Sequence, residues 1–286
     1  VALSLSSVPR VLAQVAGAHD VAFGAYFLQP HSAATGALLE AARRGAHVSV
    51  TLQADPYRNP YGARANAAVA RELRASGADV RLLPSDATPF HLKAAVCDGV
   101  AFVDDRNWTK RGPEIVLADD DPRDVALVRD ALTRAGAADA ASAAAAAGAG
   151  LAVRKDEALR RELQLVEHAG ATPVIVETER VATSPLTRAL QRRAANGDPT
   201  TLIVGRASRR SRTEAKALAD LKRDGVDVRV GGTNEKLALA GDTAWIGSVN
   251  ATGVAGRNAG QLEWGTITRD PALVATVRAS LARDAA

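Results

Sequence analysis

His91 and Lys93 lie two residues apart at the head of the apolar run Ala94-Ala-Val-Cys97, and Asn107 follows the histidine by 16 residues. On a β-strand, positions i and i+2 share a face, so this spacing points an imidazole and an ammonium the same way. An imidazole can attack an electrophile or carry a proton near neutral pH, and a cation beside it can hold an anion. That geometry can aim an imidazole and an ammonium at one phosphate. The pattern then recurs: Asn234, Lys236, Gly247, Ser248 and Asn250 follow the same order, with the same separation of 16 residues from Asn234 to Asn250. Only the first copy has a histidine. Asn234 can hydrogen-bond a phosphate but can neither attack it nor protonate it.

The elements that must position these residues also come in two sets. Apolar runs at Val21–Leu28 and His47–Leu52, with a helical stretch Ala34–Arg44 between them, precede the first copy. Runs at Pro173–Glu177 and Thr201–Val204, with a helical stretch Pro185–Ala195, precede the second. Each half then shows a helix ending at a glycine, Gly77 or Gly225, followed by a strand-like Val-Arg-Leu or Val-Arg-Val. The glycines fit helix C-caps. Each half reads β-α-β-α-β-β with a closing helix, which indicates a layered α/β architecture that arose by duplication. The expected division is 1–134 for the first half, 135–152 for an Ala/Gly-rich, partly helical linker, and 153–286 for the second half.

The two copies together resemble the HxKxxxxD…GSxN signature of the phospholipase D superfamily. His91, Lys93, Asp98 and Asn107 match in the first copy, where Asp104 and Asp105 stand in place of Gly-Ser. Lys236, Gly247, Ser248 and Asn250 match in the second, where Asn234 replaces the histidine and Gly241 the aspartate. The resemblance implies an α/β fold of two homologous α/β/α halves about a pseudo-twofold axis. Mixed sheets are flanked by helices, and both motifs meet in one cleft. It also implies that one histidine forms a phosphohistidine while the other protonates the leaving group. The lysines and asparagines hold the phosphate, the motif aspartate supports the structure, and no cofactor or metal is needed. A downstream carboxylate orients each histidine, a role open to Glu114 and Glu263.

On this reading a site with one histidine lacks its acid if His91 is the nucleophile, and lacks a nucleophile if His91 is the acid. Loss of a general acid costs about 10²–10⁴-fold. The chain is therefore expected to be an impaired or specialised phosphodiesterase. The alternative is an inactive relative that binds phosphodiesters, nucleic acid or a partner. Restoring a histidine at position 234 is the direct probe of that choice. Arg206 and Arg209, in the arginine-rich segment after the second apolar run of the second half, are candidates for phosphate contacts to a nucleic acid or a membrane surface.

Bulk properties bound the rest. With 47% hydrophobic and 24% charged residues, the chain has the composition of a folded globular protein and not of a disordered one. No apolar run reaches the length needed to span a bilayer. A single cysteine excludes an internal disulfide, and Cys97 reads as a small buried residue. The net charge of +4 is compatible with an anionic partner without requiring one. Because both motif copies are in one chain, a monomer is expected. Relatives of this size are often exported from bacteria, so a trimmed exported protein is one expectation and a cytoplasmic one the other. No metal-ligand cluster is visible in the sequence.

Overall fold

The computed structural model describes residues 3–56, 59–84, 90–108, 115–135, 150–206, 211–253 and 260–285. The chain divides into two compact units, Val1–Arg154 with Arg257–Trp264 and Lys155–Gly256 with Gly265–Ala286. It contains two seven-stranded mixed sheets flanked by helices. No helix among the described residues is long and apolar enough to cross a membrane.

The first unit opens with β1 (Ser4–Ser6) and α1 (Val8–Gly17), followed by β2 (Asp20–Ala25), α2 (Ala33–Arg43), β3 (His47–Gln53), α3 (Pro60–Ala75) and β4 (Asp79–Leu83). It continues through β5 (Ala94–Cys97), β6 (Val100–Asp104), β7 (Val116–Asp119), α4 (Pro122–Arg134) and β8 (Leu151–Arg154). The first sheet has the order β1-β7-β6-β5-β2-β3-β4. β2, β3 and β4 run parallel, joined by helical crossovers, while β5, β6 and β7 form an antiparallel meander beside β2. Helix starts are encoded locally. Ser32 caps α2 by accepting from Thr35 N–H, and Asn59 caps α3 by accepting from Gly62 N–H, with Pro60 opening that helix. Val11 and Val15 of α1, Leu38 of α2, and Val69 and Leu73 of α3 are fully buried in a core with Phe23, Val50 and Leu52 of the sheet.

The second unit contains α5 (Lys155–Glu167), β9 (Val174–Thr178), α6 (Pro185–Ala195), β10 (Thr200–Val204), α7 (Arg212–Arg223), β11 (Asp227–Val230), β12 (Leu237–Ala240), β13 (Thr243–Gly247) and α8 (Pro271–Ala285), and β14 (Leu262–Thr268) is divided, with 262–264 in the first unit and 265–268 in the second. The second sheet has the order β11-β10-β9-β12-β13-β14-β8. A capping box between Ser184 and Thr187 starts α6. Register makes the duplication explicit: Gly24 of β2 pairs with Ala94 of β5, and Glu177 of β9 pairs with Leu237 of β12. Asp104 N–H donates to Lys93 O at 3.0 Å, and Gly247 N–H donates to Lys236 O at 3.1 Å.

Two differences from the pattern expected from sequence stand out. Each half has two strands beyond the four of that pattern, β6 and β7 or β13 and β14, and a helix before its first parallel strand, α1 or α5. β7 is short and runs into the acidic stretch Asp119-Asp-Asp121, which hides it as a turn, and α1 is only ten residues long. The motif hairpins also differ in turn type. Asp98 and Gly99 both have positive φ, at 45° and 91°, the type I′ pattern, whereas in the second hairpin Gly241 has φ 60° and Asp242 does not, the type II′ pattern. Asp98 accepts from His19 N–H at 3.0 Å and Asp20 N–H at 2.9 Å, so its carboxylate ties the hairpin to the start of β2. These backbone donors hold the carboxyl below the usual aspartate range. Cys97 is buried, and burial followed by the charge of Asp98 pushes its thiol up to about 12.

Gly24 is required where it stands. A Cβ there would lie 2.4 Å from Leu132 Cδ2 and 2.8 Å from Phe90 Cζ. Gly24→Ala is expected to lower stability by about 1–3 kcal/mol through overpacking, measured by urea denaturation, with an unchanged midpoint counting against this packing.

Candidate functional site

In the first unit the chemistry-bearing residues gather at one end of the sheet. Tyr26 and Phe27 follow β2, His91 and Lys93 precede β5, and Asn107 follows β6. The backbone holds the histidine in place. Phe90 forms a parallel bridge with Leu262, and His91 N–H donates to Leu262 O at 3.2 Å. Gln53, buried at the end of β3, accepts from Phe90 N–H through Oε1 at 3.0 Å. The next residue of β14, Glu263, brings Oε2 to 3.2 Å from His91 Nδ1. The carboxylate is almost fully buried, while 27% of the imidazole is exposed. A carboxylate accepting from Nδ1–H fixes the tautomer whose lone pair is on Nε2.

Lys93 is buried, and its Nζ lies 2.8 Å from His91 Nδ1 and 2.9 Å from Nε2. Tyr26 meets the imidazole edge-on at 4.7 Å between centroids, and Lys93 Nζ is 5.8 Å from the tyrosine ring. Asn107 Oδ1 accepts from Phe27 N–H at 3.1 Å, which orients the amide and leaves its NH₂ as the donor for a ligand. Asp104, in the place of the family's glycine, is fully buried and accepts from Arg106 N–H at 3.0 Å and Trp108 N–H at 2.7 Å. It therefore builds the turn that carries Asn107. Trp264 Nε1–H donates to Asp104 O at 2.8 Å and braces that turn. Asp105 is buried as well. Glu114 lies outside the described residues.

In the second unit the same framework holds different chemistry. Asn250 Oδ1 accepts from Arg180 N–H at 2.9 Å, the counterpart of the bond between Asn107 and Phe27. Lys236 is buried, with Nζ 3.5 Å from Glu179 Oε2. Counting along the parallel strands, Glu179 occupies the position of Tyr26, so a carboxylate stands beside the lysine where the first unit has an aromatic ring. Ser248 is fully buried. Asn234 is half-buried with φ 73°, in the left-handed region that Asn tolerates better than most residues. Its Oδ1 packs so close to Gly205 that a Cβ on Gly205 would come within 2.0 Å of it. Arg206 is exposed after β10, and Arg209 lies outside the described residues. Arg180 pairs through both guanidinium arms with Glu214 in the first turn of α7.

Residues 13–133 match the family model for the cardiolipin synthase, phospholipase D-like domain. Residues 13–133 carry a phospholipase D-like domain. Among solved structures, polyphosphate kinase from Porphyromonas gingivalis superposes with a TM-score of 0.67 at 16% identity over 100% of this chain and 50% of that one. The chain thus spans half the length of that kinase. Phosphatidylserine synthase from Haemophilus influenzae Rd KW20 gives a TM-score of 0.67 at 11% identity, covering 99% of this chain and 86% of that one. At these identities the likeness is one of fold. No curated protein sequence matches the chain.

Glu263 follows the second motif in sequence, yet the histidine it meets belongs to the first. Sequence spacing alone does not reveal this, because the pairing depends on the bridge between Phe90 and Leu262. A second cluster escaped the sequence reading entirely. Glu177 of β9, Glu235 before β12 and Asp284 near the end of α8 converge, with carboxylate oxygens all within 4.8 Å of one another. Burial first, then the charges of Asp284 and Glu235, push Glu177 up to about 8. These residues are far apart in sequence, and no spacing signal links them.

The geometry at position 234 changes what restoring a histidine there would do. An imidazole is bulkier than the asparagine amide already crowding Gly205, and the backbone is left-handed. Asn234→His is expected to lower stability by about 1–3 kcal/mol and to add no hydrolytic activity. Thermal unfolding and a phosphodiester assay check this, and a stable variant with a gain in rate would show that the position readily accepts the ring.

Proposed function

We propose that this chain is a phosphodiesterase, or a transferase at a phosphodiester, that works through a covalent phosphohistidine on His91. The single observation that carries this reading is the constellation of Glu263, His91 and Lys93: a buried carboxylate on Nδ1 and a buried ammonium beside a partly exposed imidazole. In the proposed reaction Nε2 attacks phosphorus, the bond from phosphorus to the leaving oxygen breaks, and that oxygen takes a proton from water. A water or alcohol then attacks phosphorus, the P–N bond breaks with its electrons returning to Nε2, and the attacking oxygen gives up its proton to solvent. Lys93 and the Asn107 amide donate to the phosphoryl oxygens. Glu263 holds the tautomer and stabilises positive charge on the ring.

Lys236, Ser248, Asn250 and Asn234 are proposed as the degenerate phosphate-binding set of the second unit, with Arg206 and Arg209 as outer contacts. A second reading has support of its own. Lys236 is paired with Glu179, and Asn234 cannot transfer a proton, features that suit a chain that binds phosphodiesters without turning them over.

Hydrolysis of bis(p-nitrophenyl) phosphate separates the two, because its leaving group needs little protonation. Turnover is expected, reduced to background in His91→Ala and by about 10–100-fold in Glu263→Gln. Turnover that survives in His91→Ala overturns the phosphohistidine. Binding of a phosphodiester, with no turnover in any form, supports the second reading.

A further inference from the structure

We infer that Glu177, Glu235 and Asp284, with the hydroxyl of Thr233, form a binding site for a hard divalent cation, Ca²⁺ or Mg²⁺, in the second unit. Three carboxylates reach it from separate elements, β9, the segment before β12, and α8, with their oxygens within 4.8 Å of one another. Oxygens bound at about 2.3–2.6 Å to one Ca²⁺ cannot lie more than about 5 Å apart, so the cluster has the dimensions of a coordination shell. The donors are all oxygens, the set that hard cations select.

Charge balance calls for an occupant. Glu177 is fully buried, and its Oε2 has no hydrogen-bond partner. Glu235 is also buried; Ser280 donates to it, and the one half-exposed guanidinium of Arg283 stands 3.7 Å from Glu235 and 3.3 Å from Asp284, a single positive charge beside three carboxyl groups. Thr233 Oγ1 lies within reach of both Glu177 Oε1, at 3.3 Å, and Asp284, but it has one proton for the two. A buried carboxylate oxygen left without a donor is costly unless a proton or a cation meets it.

The duplication provides an internal control. At the same register, the first unit has Gly24 where the second has Glu177, Phe90 where it has Thr233, and Leu92 where it has Glu235. Gly24, Phe90 and Leu132 pack against one another, an apolar layer that needs no ligand. The second unit has replaced that layer with oxygens. Gly232 closes the wall, since a Cβ there would come within 2.7 Å of Glu177 Oε1. By strand alternation Glu235 faces this cage while its neighbours Asn234 and Lys236 face the other way, so the site lies under the motif strand and is distinct from the motif.

Thermal unfolding of the whole chain near pH 8 tests the assignment. CaCl₂ or MgCl₂ at a few millimolar is expected to raise the Tm of the natural protein by about 5 °C or more over NaCl of equal ionic strength. Glu177→Gln and Asp284→Asn should lose that shift, and equilibrium dialysis should find one ion per chain in the natural protein and none in the variants. Both substitutions remove a buried negative charge and keep the shape, so folded variants are expected. A Tm that ignores both ions, while Glu177→Gln alone raises it, would place a proton shared by Glu177 and Asp284 where the cation is proposed, and would overturn the assignment. A metal-dependent shift undiminished in both variants would overturn it equally.

Discussion

The register of the motif hairpin is the constraint on which the rest of each unit depends. A two-residue turn joins β5 to β6 and β12 to β13, and it aligns Ala94 with Val103 and Leu237 with Ile246. That alignment places the backbone of Lys93 against Asp104 and that of Lys236 against Gly247, so lysine and asparagine emerge at the same end of the sheet. Side chains alternate along a strand, and a slip of one residue would send His91 and Lys93 into the core and Leu92 out to solvent. The first hairpin secures its register with a carboxylate, Asp98 on the N–H groups of His19 and Asp20. The second does so with a glycine whose φ of 60° meets the turn directly. The motif aspartate is therefore a structural anchor in one unit and dispensable in the other.

With the backbone held constant by duplication, the two units diverge in what they bury. The first keeps an apolar layer beneath its motif strand and puts the buried Glu263 against the imidazole. The second lines the equivalent layer with Glu177 and Glu235 and sets Glu179 beside Lys236. Burying a carboxylate is unfavourable unless a partner compensates it. Glu263 has an imidazole at hand, whereas the Glu177 cluster has the Thr233 and Ser280 hydroxyls, the Thr233 N–H and a half-exposed arginine. The difference separates an acid placed beside a cationic partner from acids whose charge a proton or an ion would neutralise.

Much of the architecture was legible in the chain. The helices at Ala33–Arg43 and Pro185–Ala195 and the parallel strands follow from apolar periodicity, cap residues and C-terminal glycines, all local signals. The equivalence of Asp104 with the family's glycine was legible too, but its role was not. Only the fold shows its carboxylate turned onto the N–H groups of Arg106 and Trp108. β7 and β14 were missed because a short strand leading into an acidic turn, or one read only for its glutamate, has little periodicity of its own.

The sequence by itself determined the duplication, the α/β class, the motif residues and the loss of the second histidine, because repeats, spacing and residue type are properties of the chain in order. Tertiary structure alone decided that Glu263 serves His91, that Asn234 sits left-handed against Gly205, and that Glu177, Glu235 and Asp284 meet. Each of these is a contact between residues distant in sequence. Such contacts are set by how strands pair and helices pack, which no local pattern encodes.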